Sequence, residues 1–297
     1  MEQYIASAFQ GNNTKKGVGL STIIHPDLSI KHMREDGEVI RIPLNLRQEA
    51  GTNDAGRTSC LSMPIYQSPL FPWSHKDQAA HNALLLEHIA EAGFPCVGAK
   101  AAVAKGTLEV LSCNRIDSAW DDLRIHDGLL HFAAAYRADP ALFRSFAVVF
   151  DEPVTLDEET FERKLWDRIQ SLSDKDVWRG QDYDARVSAD PDSPHFSLSF
   201  GGEAFFVVGL HPNASRPARR FARPTMVFNL HDQFTTLREQ GRYETMREKI
   251  MVRDEATAGS RNPMLTRHGE LSEARQYSGR AVDAVWRCPF SYQGQAE

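Results

Sequence analysis

The spacing of apolar positions changes period several times along the chain and predicts alternating helices and strands. Residues 74–93 carry apolar side chains at helical spacing, with Ser74 as a cap and Gly93 as a stop. The following stretch, 94–113, predicts two strands joined by a turn at Lys105-Gly106. A helix and two strands therefore open the part of the chain with the clearest pattern.

The same pattern continues over the next 150 residues. Helices are predicted over 118–140, 155–176 and 232–259, the last one interrupted at Gly241, and strands over 144–153 and 224–231. A hairpin is predicted over 195–210, with its turn at Gly201-Gly202. The helix over 155–176 has one apolar stripe, made by Phe161, Leu165, Trp166, Ile169 and Leu172.

These elements favour an α/β (α+β) fold with a mixed β-sheet flanked by helices. We expect a single domain over residues 75–297, because no internal repeat or low-complexity tract divides it. Residues 1–74 contain strand-like pieces at 20–25 and 38–46 within polar sequence. They are predicted to form a partly ordered N-terminal extension.

Charge and composition narrow the classes of function. The 297-residue chain has a formal net charge of −6, which disfavours general nucleic-acid binding. It has no run of eighteen apolar residues and no signal-peptide core at its start, so we expect neither membrane insertion nor export. Its four cysteines are irregularly spaced and are expected to be reduced thiols in a cytoplasmic protein.

The first candidate site is the stretch GLHPNASRPARRFAR at 209–223, which places a histidine at a strand end. A neutral imidazole such as that of His211 is a common metal ligand and the usual proximal ligand of haem. A guanidinium group can bind a carboxylate or a phosphate through two parallel hydrogen bonds. The alternative is a solvated arginine loop beside an ordinary histidine. The arginines of this loop are Arg216, Arg219, Arg220 and Arg223.

Two further residues are candidate ligands. His231 lies where a strand gives way to a helix, although it could simply line the start of that helix. Cys288, in WRCPF, could supply a thiolate to iron. Buried structural cysteines are more common, and the same interpretation is preferred for Cys96.

The segment 260–280 is unusually rich in hydrogen-bonding side chains and in arginine, with Gly269 and Gly279 as hinges. This composition is typical of a pocket wall or lid, and an irregular exposed segment is the alternative. Its candidate site residues are Asn262, Glu270, Glu273, Arg275, Gln276, Tyr277 and Arg280.

Three stretches, GLHPNASRPARRF, FNLHDQF and NPMLTRHGELSEARQYSGR, together resemble the YqcI/YcgG-like family. The resemblance extends from about residues 94–102 to 286–290. Characterised members of that family are haem-dependent oxygenases that hydroxylate nitrogen, including the guanidine nitrogen of arginine and related amino acids, in natural-product pathways. The resemblance implies haem b, dioxygen as co-substrate, an external electron donor or redox partner, and a small guanidine substrate. It does not identify that substrate.

The resemblance does not say which residue holds the iron, and the chemistry of the candidate residues suggests their roles. His211 is preferred as the axial ligand, with His231 and Cys288 as alternatives. The haem propionates would be held by the arginine loop, in particular by Arg216, Arg219 and Arg220. Glu270 and Glu273 would bind the guanidinium, and if their segment is helical they share one face. Asn262, Arg275, Gln276, Tyr277 and Arg280 would contact the rest of the substrate.

Other classes of function stay open at this point. The chain could be a non-catalytic haem sensor or carrier, or a non-haem enzyme that binds an anionic substrate through the arginine loop. A structural interaction module is the simplest alternative. The sequence leaves the oligomeric state undetermined, with a homodimer as one option.

Overall fold

The computed structural model describes residues 23–25, 29–33, 39–43, 75–265 and 269–294. The chain divides into two compact units, Met1–Met63 and Pro64–Glu297. The first contains an antiparallel sheet of three short strands, ordered β1-β2-β3. Two of these strands lie in the strand-like pieces predicted for the N-terminal extension, whereas β2 was not predicted. The strands are β1 (Ile23–His25), β2 (Ser29–Met33) and β3 (Val39–Pro43).

The second unit is built on a mixed five-stranded sheet in the order β4-β5-β8-β7-β6. Strands β4 and β5 are parallel and the remaining pairs are antiparallel, which confirms the predicted mixed sheet. The strands are β4 (Leu108–Arg115), β5 (Ser145–Glu152), β6 (Leu198–Phe200), β7 (Glu203–Leu210) and β8 (Thr225–Leu230). The helices are α1 (His75–Ala90), α2 (Val97–Lys105), α3 (Asp122–Ala138), α4 (Glu158–Trp178), α5 (His231–Glu239), α6 (Tyr243–Ala258) and α7 (Ala274–Tyr277).

One predicted element is wrong. The first of the two strands expected over 94–113 is the helix α2. Its alanine-rich sequence has a high helix propensity, and Cys96 caps its start by accepting a hydrogen bond from the Ala99 amide. Gly106 ends the helix in a left-handed conformation, with φ of 67°, and donates its N–H to the carbonyls of Ala102 and Val103. The Lys105-Gly106 pair is therefore a helix cap and not a hairpin turn.

The two faces of the sheet are covered by different helices. Along β5, Phe146, Val148 and Phe150 pack into the larger core, with the apolar stripe of α4 and the buried side of α3. The alternate residues Ala147 and Val149 pack on the other face. That second face is covered by α1 and by partly buried residues of α2, so successive strand residues meet different layers.

Helix α5 is fixed to the sheet by an exchange of hydrogen bonds. The Gln233 side chain accepts from the Arg144 amide and donates to the Arg144 carbonyl, both at 2.8 Å. Because Gln233 is buried in the first turn of α5, this contact sets the position of His231 two residues earlier. No helix among the described residues is long and apolar enough to cross a membrane.

The close packing of α4 on β7 predicts a cost for enlarging Gly209. A Cβ at this position would lie 2.7 Å from Leu165 Cδ1, 2.8 Å from Phe161 Cε1 and 3.0 Å from the Tyr277 carbonyl. We expect Gly209→Ala to lower the free energy of unfolding by about 1–3 kcal/mol, as measured by urea denaturation.

The matched control is Gly93→Ala, where a Cβ would meet nothing within 4 Å. That variant is expected to change the free energy of unfolding by less than about 0.5 kcal/mol. Equal changes in the free energy of unfolding for the two variants would contradict the close packing of α4 on β7.

Candidate functional site

A cavity of about 330 Å³ lies on the second face of the sheet. Its floor is formed by Phe206, Val208 and Leu210 of β7 and by Val227 and Asn229 of β8. Residues of α1, α2, α5 and α6 and of the segment after α6 complete the wall. Most of the lining is apolar, and the volume is in the range of about 300–1,000 Å³ that is usual for small-molecule sites.

The alternation of side chains along β7 and β8 decides which histidine reaches this cavity. On β8, Val227 and Asn229 face the cavity, and His231 follows at the same parity and also lines it. On β7, Leu210 faces the cavity, so the next residue, His211, falls on the opposite face. His231 is thus in the wall of the cavity, and His211 is not.

His211 is packed against α4. Its ring stacks on Phe161 with the ring centroids 4.3 Å apart, and only 1% of the residue is exposed. Burial lowers the pKa of the imidazole, which favours the neutral form. The Nδ1 atom has no hydrogen-bond partner among the described residues. The structure therefore places the preferred axial ligand of the sequence analysis in the core, next to a strand that lines the cavity.

Glu273 lies beside His231 in the cavity wall. Its Oε1 accepts hydrogen bonds from Ser197 Oγ at 2.8 Å and from Tyr277 Oη at 2.6 Å, and its Oε2 lies 4.0 Å from His231 Nε2. Burial raises the pKa of this carboxyl to about 7, although the two hydroxyl groups and the charge of Arg238 oppose the shift. Both protonation states of Glu273 are therefore populated near neutral pH.

Only part of the predicted arginine loop reaches the cavity. Arg216 and Arg219 line it. Arg219 is partly buried, and its guanidinium donates to the carbonyls of Gly209, Gln276 and Tyr277 at 3.0–3.2 Å. Desolvation lowers the pKa of Arg219 to about 10. These hydrogen bonds connect the end of β7 to α7, so Arg219 has a structural role.

Arg220 points elsewhere. It donates to the carbonyls of Ala214 and Ser215 at 2.7 and 2.8 Å and lines a separate pocket beside His88 and Phe221. These hydrogen bonds stabilise the conformation of the loop that contains Arg220.

The segment 260–280 is divided in the same way between the cavity and the core. Asn262, Glu273 and Gln276 line the cavity. Tyr277 is buried and does not line the cavity, but it contacts three residues that do: Glu273, Phe206 and Arg219. Glu270 is exposed and lies in a turn before α7, whereas Glu273 directly precedes the helix. The two acids therefore do not share a helical face.

Two predicted substrate contacts serve the C-terminal segment instead. Arg280 forms an ion pair with Glu162 of α4. Arg275 donates to the carbonyls of Val282 and Asp283, and its guanidinium lies 5.8 Å from the Trp286 ring centroid. Neither arginine lines the cavity.

Four charged residues of the cavity are not among the residues predicted from the sequence. Arg144, Arg238 of α5, and Arg247 and Asp254 of α6 all line it. Arg247 and Asp254 belong to the stripe of α6 residues that faces the cavity. A charged residue within the apolar stripe of a helix can be recognised in the sequence, and it could have identified both residues. The stripe is Tyr243, Met246, Arg247, Ile250, Met251 and Asp254.

The cysteines are also placed differently from the sequence interpretation. Cys96 does not enter a strand; it caps α2 and lines the cavity. Burial raises the pKa of its thiol. Cys288 packs against the larger core and does not line the cavity, and burial raises its pKa to about 12. Cys96, Cys113 and Cys288 are free thiols, and Cys60 lies outside the described residues.

Comparison with known proteins gives one match. The model of the YqcI/YcgG family matches residues 85–291, which is more than half of the chain. No curated protein and no solved structure matches. The matched range begins within α1 and includes all five strands of the main sheet and every described residue that lines the cavity.

The raised pKa of Glu273 predicts a pH dependence of stability. Between its usual pKa of 4.5 and the folded value of about 7, the folded chain holds a proton that the unfolded chain has released. The contribution of this carboxyl to the free energy of unfolding therefore falls as pH rises from about 5 to 7, and is constant above. The total fall is roughly 3 kcal/mol at 1.36 kcal/mol per pKa unit.

Glu273→Gln replaces the carboxyl by a neutral group of similar size and removes this dependence. We expect the stability of the wild type relative to this variant to decrease across urea denaturation series at pH 5, 6, 7 and 8. Glu248→Gln, at an exposed position of α6, should instead follow the wild type. Parallel pH profiles for the wild type and Glu273→Gln would contradict the assignment.

Proposed function

The chain belongs to the YqcI/YcgG family, and we propose on that basis that it is a haem-dependent oxygenase that hydroxylates a nitrogen of a guanidine-bearing amino acid. Arginine is the first substrate to consider. The co-substrate is dioxygen, and an external donor supplies the electrons. The proposal rests on family membership for the type of reaction and on the cavity for the site.

The observation that supports this site best is the composition of the cavity wall. His231 is the one histidine that lines the cavity among the described residues, and it does so amid predominantly apolar side chains. Such a wall suits an aromatic macrocycle that needs a single imidazole ligand. The conclusion is that His231, and not His211, is the candidate axial ligand.

The donor set of the wall fits haem in its charged groups as well. Propionates need cationic partners, and the cavity is lined by five arginines and two acidic residues. Arg219 and Arg144 donate to backbone carbonyls, and Arg216 is paired with Asp254 and keeps only its Nε without a hydrogen bond to a described residue. We therefore assign the propionates to Arg238 and Arg247. Arg238 donates to Thr235 Oγ1 at 2.9 Å, and Arg247 forms no ion pair with any described residue.

Haem, when bound, supplies the activation of dioxygen, and the protein supplies binding, orientation and protons. Glu273 is the cavity carboxylate next to His231, and hydrogen bonds from Ser197 and Tyr277 fix its Oε1. Its Oε2 is left to orient the imidazole or to exchange a proton with a bound nitrogen substrate. A pKa of about 7 suits that exchange, because a group that is half protonated at the working pH can both donate and accept.

The alternative ligands have weaker support. Cys96 lines the cavity, but a thiol whose pKa is raised by burial is a poor source of the thiolate that binds iron. Cys288 has the same property and is outside the cavity. His211 would have to leave its stacked position on Phe161.

A second candidate function is a non-haem enzyme for an anionic small molecule. It is favoured by the excess of arginine over acidic residues around the cavity. The two functions differ in one optical property, since only a haem protein has a Soret band.

Activity is tested with the protein purified from haem-supplied cells. With a reductant and oxygen, arginine is expected to stimulate oxygen consumption and to gain one oxygen atom, as measured by mass spectrometry. Haem binding without consumption by any of a panel of guanidines would instead support a sensor or carrier. Absence of a Soret band, together with no uptake of added haem, would leave the anion-binding enzyme.

The ligand assignment is tested separately by spectroscopy. We expect His231→Ala to lose haem or to change spin state, with partial recovery on addition of imidazole, because the iron loses its protein ligand. His131→Ala, at an exposed position of α3, is the control and should retain the wild-type spectrum. A wild-type spectrum in His231→Ala and loss of haem in His211→Asn would return the assignment to His211. A carbon monoxide complex with the thiolate signature would assign Cys96 or Cys288.

A further inference from the structure

Arg216 and Asp254 form a buried ion pair in the cavity wall. The Arg216 Nη2 atom donates to Asp254 Oδ2 at 2.5 Å and to the Ser260 carbonyl at 2.8 Å. The Arg216 side chain is 12% exposed and that of Asp254 6%. The pair joins the loop after β7 to the last turns of α6, and both residues line the cavity.

Each partner of this pair keeps one polar atom without a hydrogen bond among the described residues. These atoms are Asp254 Oδ1, an acceptor, and Arg216 Nε, a donor. Buried arginine Nε atoms are also unsatisfied elsewhere in the fold, but Asp254 Oδ1 is the only such carboxylate oxygen in the described part of the chain. A buried polar atom in this condition is costly. Because both residues line the cavity, a ligand bound there is a candidate for the missing partner.

The chemistry of that partner follows from charge. The ion pair is neutral as a whole, so a ligand with a single charge would leave an uncompensated charge in a largely apolar site. A ligand end that carries one cation and one anion meets the acceptor and the donor at once without changing the total charge. The ammonium and carboxylate groups of a free α-amino acid have this composition.

We propose that Arg216 and Asp254 bind the zwitterionic end of a free amino acid, with the ammonium group on Asp254 Oδ1 and the carboxylate on Arg216 Nε. This inference rests on the proposed function, because it concerns the same substrate. It assigns a site to the end of that substrate that lies away from the reacting nitrogen. The two residues line the same cavity as His231 and Glu273. An amino acid held at this subsite therefore has its side chain inside the cavity in which the reaction is proposed.

The neighbouring cations do not compete for this role. The guanidinium of Arg219 already donates to three carbonyls. Arg238 of α5 and Arg247 of α6 are assigned to the haem propionates. Asn262, which follows Ser260 closely in the chain, also lines the cavity and adds an amide near the pair.

The subsite is tested by titration calorimetry on the full chain with the common free L-amino acids, beginning with arginine. The best-binding amino acid is then compared with two truncated analogues. One lacks the carboxylate, as agmatine does for arginine, and the other lacks the ammonium group, as 5-guanidinopentanoate does. We expect each truncation to weaken binding at least about tenfold, which corresponds to 1.4 kcal/mol.

Two variants connect those losses to the two residues. Asp254→Asn should bind the amino acid at least about tenfold more weakly than the wild type does. It should bind the analogue without ammonium almost as well as it binds the complete amino acid. Arg216→Lys keeps a cation for Asp254 but removes Nε, so it should stop distinguishing the analogue without carboxylate. Glu248→Gln, an exposed carboxylate on the same helix, is the control and should bind like the wild type. Thermal unfolding of every variant establishes that it is folded, and if Asp254→Asn is unfolded the comparison rests on Arg216→Lys.

The proposal is overturned if no free amino acid binds, or if the folded variants discriminate the analogues as the wild type does. These outcomes are separate from a failure of the proposed function. A chain without a Soret band that still recognises both ends of an amino acid through Arg216 and Asp254 would retain the subsite and lose the oxygenase. A haem oxygenase with unaltered binding in both variants would do the reverse.

Discussion

The two-residue alternation of side chains along β7 and β8 is the constraint on which the site depends. One set of residues on each strand packs against α4 and the larger core, and the other set forms the floor of the cavity. Gly209 shows how closely the first set is packed, since it has no room for a Cβ. A shift of one residue in the register of β8 would turn His231 into the core and Leu230 into the cavity. The strand pairing therefore fixes the position of the candidate ligand.

The second feature of the site is the way in which charge is accommodated in an apolar cavity. Arg219 donates to three backbone carbonyls, and the charge of Arg216 is neutralised by Asp254. Glu273 is buried between two hydroxyl donors, and its pKa is raised because desolvation outweighs their effect. The polar groups left for a ligand include the second oxygen of each carboxylate, Arg216 Nε, and the guanidinium groups of Arg238 and Arg247.

Family membership and geometry support different parts of the functional conclusion. The match over residues 85–291 identifies the family, and the fold agrees with the expected mixed sheet flanked by helices. The type of reaction is carried by the family, whereas the choice of His231, Glu273, Arg216 and Asp254 is carried by the cavity. The roles given to these residues depend on the proposed reaction, whereas their positions in the cavity wall do not.

The sequence by itself determined most of the elements, because the periodicity of apolar residues reflects which face of each helix or strand is buried. It determined the apolar stripe of α4 and the hairpin turn at Gly201-Gly202. It failed at α2, where a helix cap at Gly106 has the same local composition as a hairpin turn. It also located the loop and the C-terminal segment from which five of the predicted site residues reach the cavity. Only the tertiary structure decided that His231 and Glu273 line the cavity whereas His211 and Glu270 do not, and which arginines face it. The reason is that these choices depend on which face of the sheet is left partly uncovered, and that is set by helices remote in sequence.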